Sequence, residues 1–484
     1  MAGINLRRLG VLVVTVAALV TLVATNGSRP ERLTPTFTEL GQVSMPFAPS
    51  GTQLTGSWFC PGAPRGSGAG GTVVISNPTS GELQGWATVF SNEAGADPQR
   101  VRLAIPANSA YTVDLNDAQQ SGTYLSALVE LTGGAGLVEQ RAINPAGNSV
   151  SACSNAAAGQ WYFADGFTSG GSTEQLQITN PYADTAIVDV VIVTATGTRR
   201  PSGLQGMPIA AQSVGTVDLG AAAQNEDVLA ATVTASRGRV VAARVQTYRG
   251  GGRTGFSLTL GSPGLYDQYY FADNEVGAGI RTVYTIYNPN PTPIDVTVVP
   301  LDPGLDPELT QPTITVDAGG VRSVVMSKGS GSDLTGLPDA RFGLVFATSL
   351  DTPASFLVEQ ARTRNGSTNV IPGIPGALVT QRWSMVVTPS GDVSDALRVF
   401  NVNNVDAYLT VKALGPDGFV DIPSLAKVDI AARGSVSLDF TDIPAELSGK
   451  PMLVDCTSCQ IFVERELPRG HGLPGRTGSV PLNG

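Results

Sequence analysis

Histidine is nearly absent from this chain: of 484 residues, one is a histidine, His471. A multi-histidine metal site is therefore excluded within one chain, and a Ser-His-Asp or Cys-His arrangement would have to be built on that single residue. It sits in a Gly- and Pro-rich connection near the C-terminus, and no G-x-S-x-G turn occurs anywhere in the chain. Charge is also sparse. Charged residues are 14% of the chain, against roughly 25% in typical soluble domains, so the solvated faces must be built from Ser, Thr, Asn, Gln and Gly. The formal net charge is −10, which leaves no basic footprint for phosphate backbones and excludes nucleic acid as an expected partner. Helical stripes are scarce. None of the 57 glycines forms a phosphate loop between a strand and a helix, and the sequence calls for no cofactor, metal or catalytic residue.

What the chain does have begins with a hydrophobic N-terminus. Arg7 and Arg8 precede an apolar run, Leu9 to Thr25, that reads as a secretory signal or as an uncleaved anchor at the lower edge of a spanning helix. In either case the arginines place the rest of the chain on the far side of the membrane. Residues 1–28 are assigned to this segment, and residues 29–56, rich in Pro, Thr and Ser, to a polar linker or stalk.

Beyond it one pattern is used four times. Trp58, Trp161, Tyr269 and Trp383 each open a block, and Asn77, Asn180, Asn288 and Asn401 follow after 19, 19, 19 and 18 residues. Proline follows the first three asparagines and Val402 the fourth. An Asx-turn closed by the asparagine and stiffened by proline ends a strand there. Each block continues with a Val-Asp-Leu-like element and a closing motif: Val138-Glu139-Gln140-Arg141, Ala242-Ala243-Arg244, Val358-Glu359-Gln360 and Val463-Glu464-Arg465. Runs of Val, Ile, Thr and Tyr with period two, bounded by Gly, Pro and Asn, predict short strands. The expected fold is all-β: four tandem β-sandwich (Ig-like) domains after an N-terminal hydrophobic helix, at residues 57–155, 159–263, 267–375 and 380–484. The period, 103 to 114 residues, is too long for one propeller blade, and no half-period echo makes each block two blades. Four sandwiches like beads on a string are expected, with a last strand near Ser479–Leu482.

Four cysteines remain to be placed. Cys60 and Cys153 lie at opposite ends of block one, where a disulfide would close a long loop and stabilise by about 4 kcal/mol. Cys456 and Cys459 flank a turn in block four. A redox pair or half a zinc site is the alternative for the latter, but the first normally opens a helix and the second needs two further ligands. Paired carboxylates are the remaining route to hydrolysis, chiefly of glycosides. Glu139, Glu359 and Glu464 occupy one equivalent position in three blocks, which points to a repeated structural contact with an arginine. Among the leading aromatics, Trp58, Trp161, Tyr162, Tyr269, Tyr270 and Trp383 are candidates for stacking on sugars, against a plain reading in which the rings plug the cores.

The phrase Trp161-Tyr162-Phe163-Ala164-Asp165-Gly166, followed by Asn180-Pro181, Val217-Asp218-Leu219 and the closing motif, resembles the WYFA-(Asp/Glu)-Gly tandem repeats of exported actinobacterial proteins in a domain-of-unknown-function family. The resemblance spans nearly the whole chain past Ser57 and is weakest in block four, which opens Arg382-Trp383-Ser384-Met385. It implies a non-catalytic, secreted or membrane-anchored β-rich envelope protein and carries over no activity. The expected function is that of an extracytoplasmic cell-envelope protein whose repeats serve as spacer or interaction modules. A cell-wall or capsular glycan ligand is the alternative, and a glycoside hydrolase comes last. Expected partners are an envelope protein or glycan, and the membrane through the N-terminal helix.

Overall fold

A computed structural model describes residues 46–48 and, between 54 and 483, all but short stretches at 135, 303–310, 329–330, 336, 338–340, 387–395, 441–442 and 469–475. The hydrophobic N-terminal segment, most of the linker and His471 lie outside the described residues. Among the described residues no helix is long and apolar enough to cross a membrane.

Unit one shows the plan. Its strands are β1 (Thr55–Pro64), β2 (Gly70–Asn77), β3 (Leu83–Ser91), β4 (Gln99–Ile105), β5 (Ser109–Asp114), β6 (Tyr124–Thr132), β7 (Leu137–Asn144) and β8 (Gly147–Ala152). They form two antiparallel sheets: a lead sheet in the order β1-β6-β3-β4, and a closing sheet in the order β5-β2-β7-β8. The other three units repeat both sheets, with a short extra strand in several places. In an immunoglobulin domain the first strand pairs with the second. Here β1 pairs with β6, and β7 pairs with β2. The units are all-β sandwiches with a different strand order from the Ig-like one expected.

Local chemistry sets the turns. Asn77, Asn180, Asn288 and Asn401 are all fully buried. Each amide nitrogen donates to the carbonyls of two nearby loops, Asn180 for example to Asp184, Ile209 and Ala210. Each side-chain oxygen accepts from the backbone N–H two residues on, which closes the Asx-turn. Asn401 does all of this without a following proline, so the asparagine carries the device. A single helical turn follows the Val-Asp-Leu element in units one and two, at Leu115–Ala118 and Leu219–Ala222, capped by Asp114 and Asp218.

The beads-on-a-string expectation does not hold. The last strand of each closing sheet is an edge strand, and the four edges meet. β8 packs against Gly255–Leu260 of unit two, that strand against Ser367–Pro372 of unit three, that against Arg476–Ser479 of unit four, and the last returns to β8. The four sandwiches therefore close into a ring about one axis. Each lead sheet also covers the closing sheet of the next unit. β1 packs on Thr173–Asn180 and Val241–Tyr248, Gln160–Phe163 on Leu357–Arg364, and Gln268–Asn274 on Ile461–Pro468. Val386 and Leu482 of unit four are buried in the core of unit one beside Val73 and Leu137. Eight sheets thus alternate around the axis in the manner of a propeller. No half-period shows in the sequence because the two sheets of a unit are interleaved along the chain.

Double coverage explains the composition of the closing sheets. Gln175-Leu176-Gln177-Ile178 reads as a strand with one wet face, yet Gln177 is fully buried and accepts from Thr216 Oγ1. The second face of that strand meets unit one instead of water.

Candidate functional site

The residues singled out in the sequence converge on the seams between units. After the leading aromatics the chain reads Ala164-Asp165 in unit two and Ala272-Asp273 in unit three. Their backbone N–H groups emerge from the end of the first strand toward the next unit. There Glu359 Oε2 accepts from Ala164 N at 2.9 Å and Asp165 N at 2.6 Å. Glu464 repeats the arrangement one unit on, with Oε1 2.6 Å from Ala272 N and Oε2 3.2 Å from Asp273 N. The third glutamate, Glu139, closes the ring, accepting from Arg465 of unit four at 3.1 Å.

Cations complete each seam. Arg244, fully buried, donates to Glu359 at 2.9 Å, and Arg362 donates to Asp273 at 2.7 Å within unit three while facing Glu466 of unit four at 3.6 Å. Burial would raise Asp273, but Arg362, Arg341 and Arg398 override it and hold the carboxyl at about 2. Burial pushes Glu464 up to about 8, and Asp273 beside it adds to the rise. Glu174, next to the first seam, is also pushed up to about 8, by burial first and against the pull of Arg244. Its Oε2 accepts from Phe167 N, whereas its Oε1 has no partner. A protonated carboxyl fits that environment.

The remaining seam, between units one and two, lacks the glutamate, and the reason lies in the partner. The residues equivalent to Ala164-Asp165 are Pro61-Gly62. Pro61 has no N–H to give, and Gly62 N donates to Ser126 Oγ at 3.0 Å. A glutamate there would find no donor. Ala243 occupies the position and packs in an apolar cluster with Ala142, Val245, Phe256 and Leu258.

Both disulfides form as expected, Cys60–Cys153 and Cys456–Cys459, and no free cysteine remains. Phe59 and Ser154 exchange backbone hydrogen bonds beside the first, where the chain leaves β8 and returns to β1.

Of the six aromatics considered for stacking on sugars, Trp58, Trp161, Tyr162, Tyr269 and Trp383 are buried and Tyr270 is half-buried. Trp58, Trp161, Tyr269 and Trp383 are at most 2% exposed. Three of them donate to a carbonyl of the same unit: Trp161 to Val240, Tyr269 to Phe356 and Trp383 to Ile461. Their neighbours point the other way, as alternation along a strand requires. Tyr162 joins the core of unit three, and the Tyr270 ring lies 4.9 Å from that of Phe462 in unit four. One ring of each pair plugs its own sandwich and the other fastens the seam.

The axis itself offers little space. A pocket among Val150, Leu258, Leu260, Val370 and Val480, lined also by the buried Pro46, has a volume of about 40 Å³, enough for about one or two waters. Among the described residues no group of His, Cys, Asp and Glu is arranged to hold a metal ion.

Residues 137–255 match a family of unknown function, DUF5719. The matched stretch starts at β7 and runs through most of unit two; it includes Ala243 but not Pro61 and Gly62 of β1, on the other side of the seam between units one and two. No curated protein matches the chain. Among solved structures, a tetra-tandem repeat from the extending region of a large adhesion protein is similar at 15% identity, over 85% of this chain and 95% of the other, with a TM-score of 0.11. The α-L-rhamnosidase of Streptomyces avermitilis complexed with L-rhamnose is similar at 8% identity, over 84% of this chain and 55% of the other, with a TM-score of 0.10. Superpositions at those scores carry no inference about fold or ligand.

The sequence places the three glutamates at one structural position and points to an arginine contact, which Glu359 and Glu139 make, but it gives no sign that the contacts cross between units or that backbone N–H groups share them. Arg244, Arg362, Arg465, Asp165 and Asp273 belong to the same seams. The available signal was the Phe-Ala-Asp phrase shared by units two and three and lost as Cys60-Pro61-Gly62 in unit one.

Proposed function

We propose that the chain is a non-catalytic extracytoplasmic protein of the cell envelope, and that its closed ring is an interaction platform more than a spacer. The observation that carries this reading is the use of the glutamates: the carboxylates a hydrolase would need are spent between units, bonded to backbone N–H groups or arginines. Closure favours a platform over a spacer because unit four returns to unit one, so four units add little reach. The two disulfides support an oxidising compartment, and the apolar segment from Leu9 to Thr25 supplies the signal or anchor.

The test is made on whole cells. Protease added outside should degrade the protein in intact cells, and denaturing alkylation without reductant should label none of its four cysteines. Protection from external protease together with alkylation of all four would overturn the placement. A carbohydrate ligand is the second reading. With Trp58, Trp161, Tyr269 and Trp383 buried, it is favoured by one feature, an open glycine-walled cleft between units two and three.

A further inference from the structure

That cleft lies where the hairpin turn after Val241–Tyr248 meets the turn after Leu357–Arg364. The two turns are sewn together, Thr254 N donating to Gly366 O at 2.7 Å and Thr368 N to Thr254 O at 2.8 Å. The space has a volume of about 510 Å³, within the range of small-ligand sites, about 300–1,000 Å³. Glycines wall it, with no side chains to fill it. At Gly251, where φ is +62°, an added Cβ would stand 2.8 Å from the Phe167 ring, so the backbone itself forms the surface there.

The cationic residues that line this space are Arg253, Arg281 and Lys328. Arg253 is the unusual one. It is 5% exposed, its guanidinium lies 4.5 Å from the Phe167 ring centroid and 5.9 Å from that of Tyr248, and its Nη1 has no hydrogen-bond partner. The buried arginines Arg244, Arg362 and Arg465 each have a carboxylate, whereas among the described residues none forms an ion pair with Arg253. A buried cation held by aromatic faces and lacking a counter-ion is an incomplete arrangement. Arg281 is held below the usual arginine range by partial burial and then by Arg253, with Asp227 and Asp333 opposing. Glu275, in the loop that leads into the cleft wall, is engaged by Arg341 and Arg364.

We propose that this cleft binds a tetrahedral oxyanion, a phosphate or sulfate group, with Arg253 and Arg281 on the anion and Lys328 at the rim. Arginine presents several N–H donors in one plane and suits such a group. The volume exceeds that of a free ion and leaves room for a sugar carrying it. The oxyanion claim stands without the carbohydrate reading; only a sugar-borne source rests on it.

The experiment is titration calorimetry on the full chain at fixed ionic strength, with inorganic phosphate, inorganic sulfate, glucose 6-phosphate and glucose as probes. Phosphate or sulfate should bind saturably, roughly tenfold more weakly in Arg281→Gln, which is exposed and leaves the core intact. Binding should be lost in Arg253→Gln. Tighter binding of glucose 6-phosphate than of phosphate supports a sugar-borne group, and equal binding supports the free ion. Absence of saturable binding by all three anions overturns the proposal, as does binding unchanged in both Arg281→Gln and Lys328→Gln. Binding of glucose with the affinity of glucose 6-phosphate overturns the oxyanion assignment while sparing the carbohydrate reading.

Discussion

A glutamate at position 243 would test the seam chemistry one residue at a time. Glu359 and Glu464 are tolerated in full burial because two backbone N–H groups await each of them. Pro61 and Gly62 offer nothing comparable to unit two. Ala243→Glu should therefore destabilise the chain by about 3–5 kcal/mol, the cost of burying an uncompensated charge, or force the carboxyl to stay protonated. Urea titration followed by tryptophan fluorescence measures it, and a neutral substitution would mean the seams are not built as described. The same residues set a pH response. Glu174 and Glu464 are raised to about 8 from an ordinary 4.5. The folded chain thus holds more protons than the unfolded one between those values, and stability falls as pH rises from about 4.5 to about 8. Asp273, lowered to about 2 from 3.8, contributes stability that is present above 3.8 and lost as pH falls through 2. The melting temperature should be higher at pH 5 than at pH 8.5, and Glu464→Gln should narrow that difference. At this scale the sequence was half legible. The repeated glutamate was visible as a structural contact, and Val402 was visible in place of the proline that stiffens the other three turns. That turn is complete in the structure, because Asn401 needs only its own amide and the two loops around it.

Elements extend the same logic to the crossing point where each closing sheet hands the chain back to its lead sheet. In unit one the Cys60–Cys153 disulfide sits there. In units two and three the equivalent pairs are Phe163 with Gly261 and Phe271 with Gly373. A Cβ on Gly261 would lie 2.6 Å from Phe163 Cζ, and one on Gly373 3.1 Å from Phe271 Cζ. A ring laid over a glycine and a disulfide are two solutions to one packing problem. Replacing both cysteines by serine should cost about 4–5 kcal/mol in the chain-entropy model, the loop being 93 residues. The double variant Cys60→Phe with Cys153→Gly should recover part of that loss in thermal unfolding; recovery no better than the serine pair would contradict the equivalence. The strands, their turns and both disulfide pairings were legible because period-two patterning and turn residues act locally. Strand order was not: pairing β1 with β6 instead of β2 leaves the alternation of each strand unchanged.

At the scale of the whole molecule, closure changes what the parts mean. A polar strand face that reads as solvated is a seam, an aromatic pair that reads as a sugar platform is a plug and a clasp, and the last strands of the chain join unit four to unit one. The plug was one of the two readings the aromatics offered; the seams and the closure were not legible, because contacts between units depend on where edge strands meet in space and leave no period in the sequence. The ring also gives the cleft beside Arg253 its walls, since they come from two units.

The most direct test places spin labels on units one and four. The Asn108 amide donates to the Pro416 carbonyl at 2.6 Å, and Ala110 and Asp417 beside them are exposed. The variant Ala110→Cys with Asp417→Cys, labelled and measured by double electron–electron resonance, should give one narrow distance of about 25 Å or less. Units of this size have radii of gyration near 13 Å, so a string with two units between the labels would give a broad distribution beyond roughly 60 Å. A long, broad distance would contradict the closed ring.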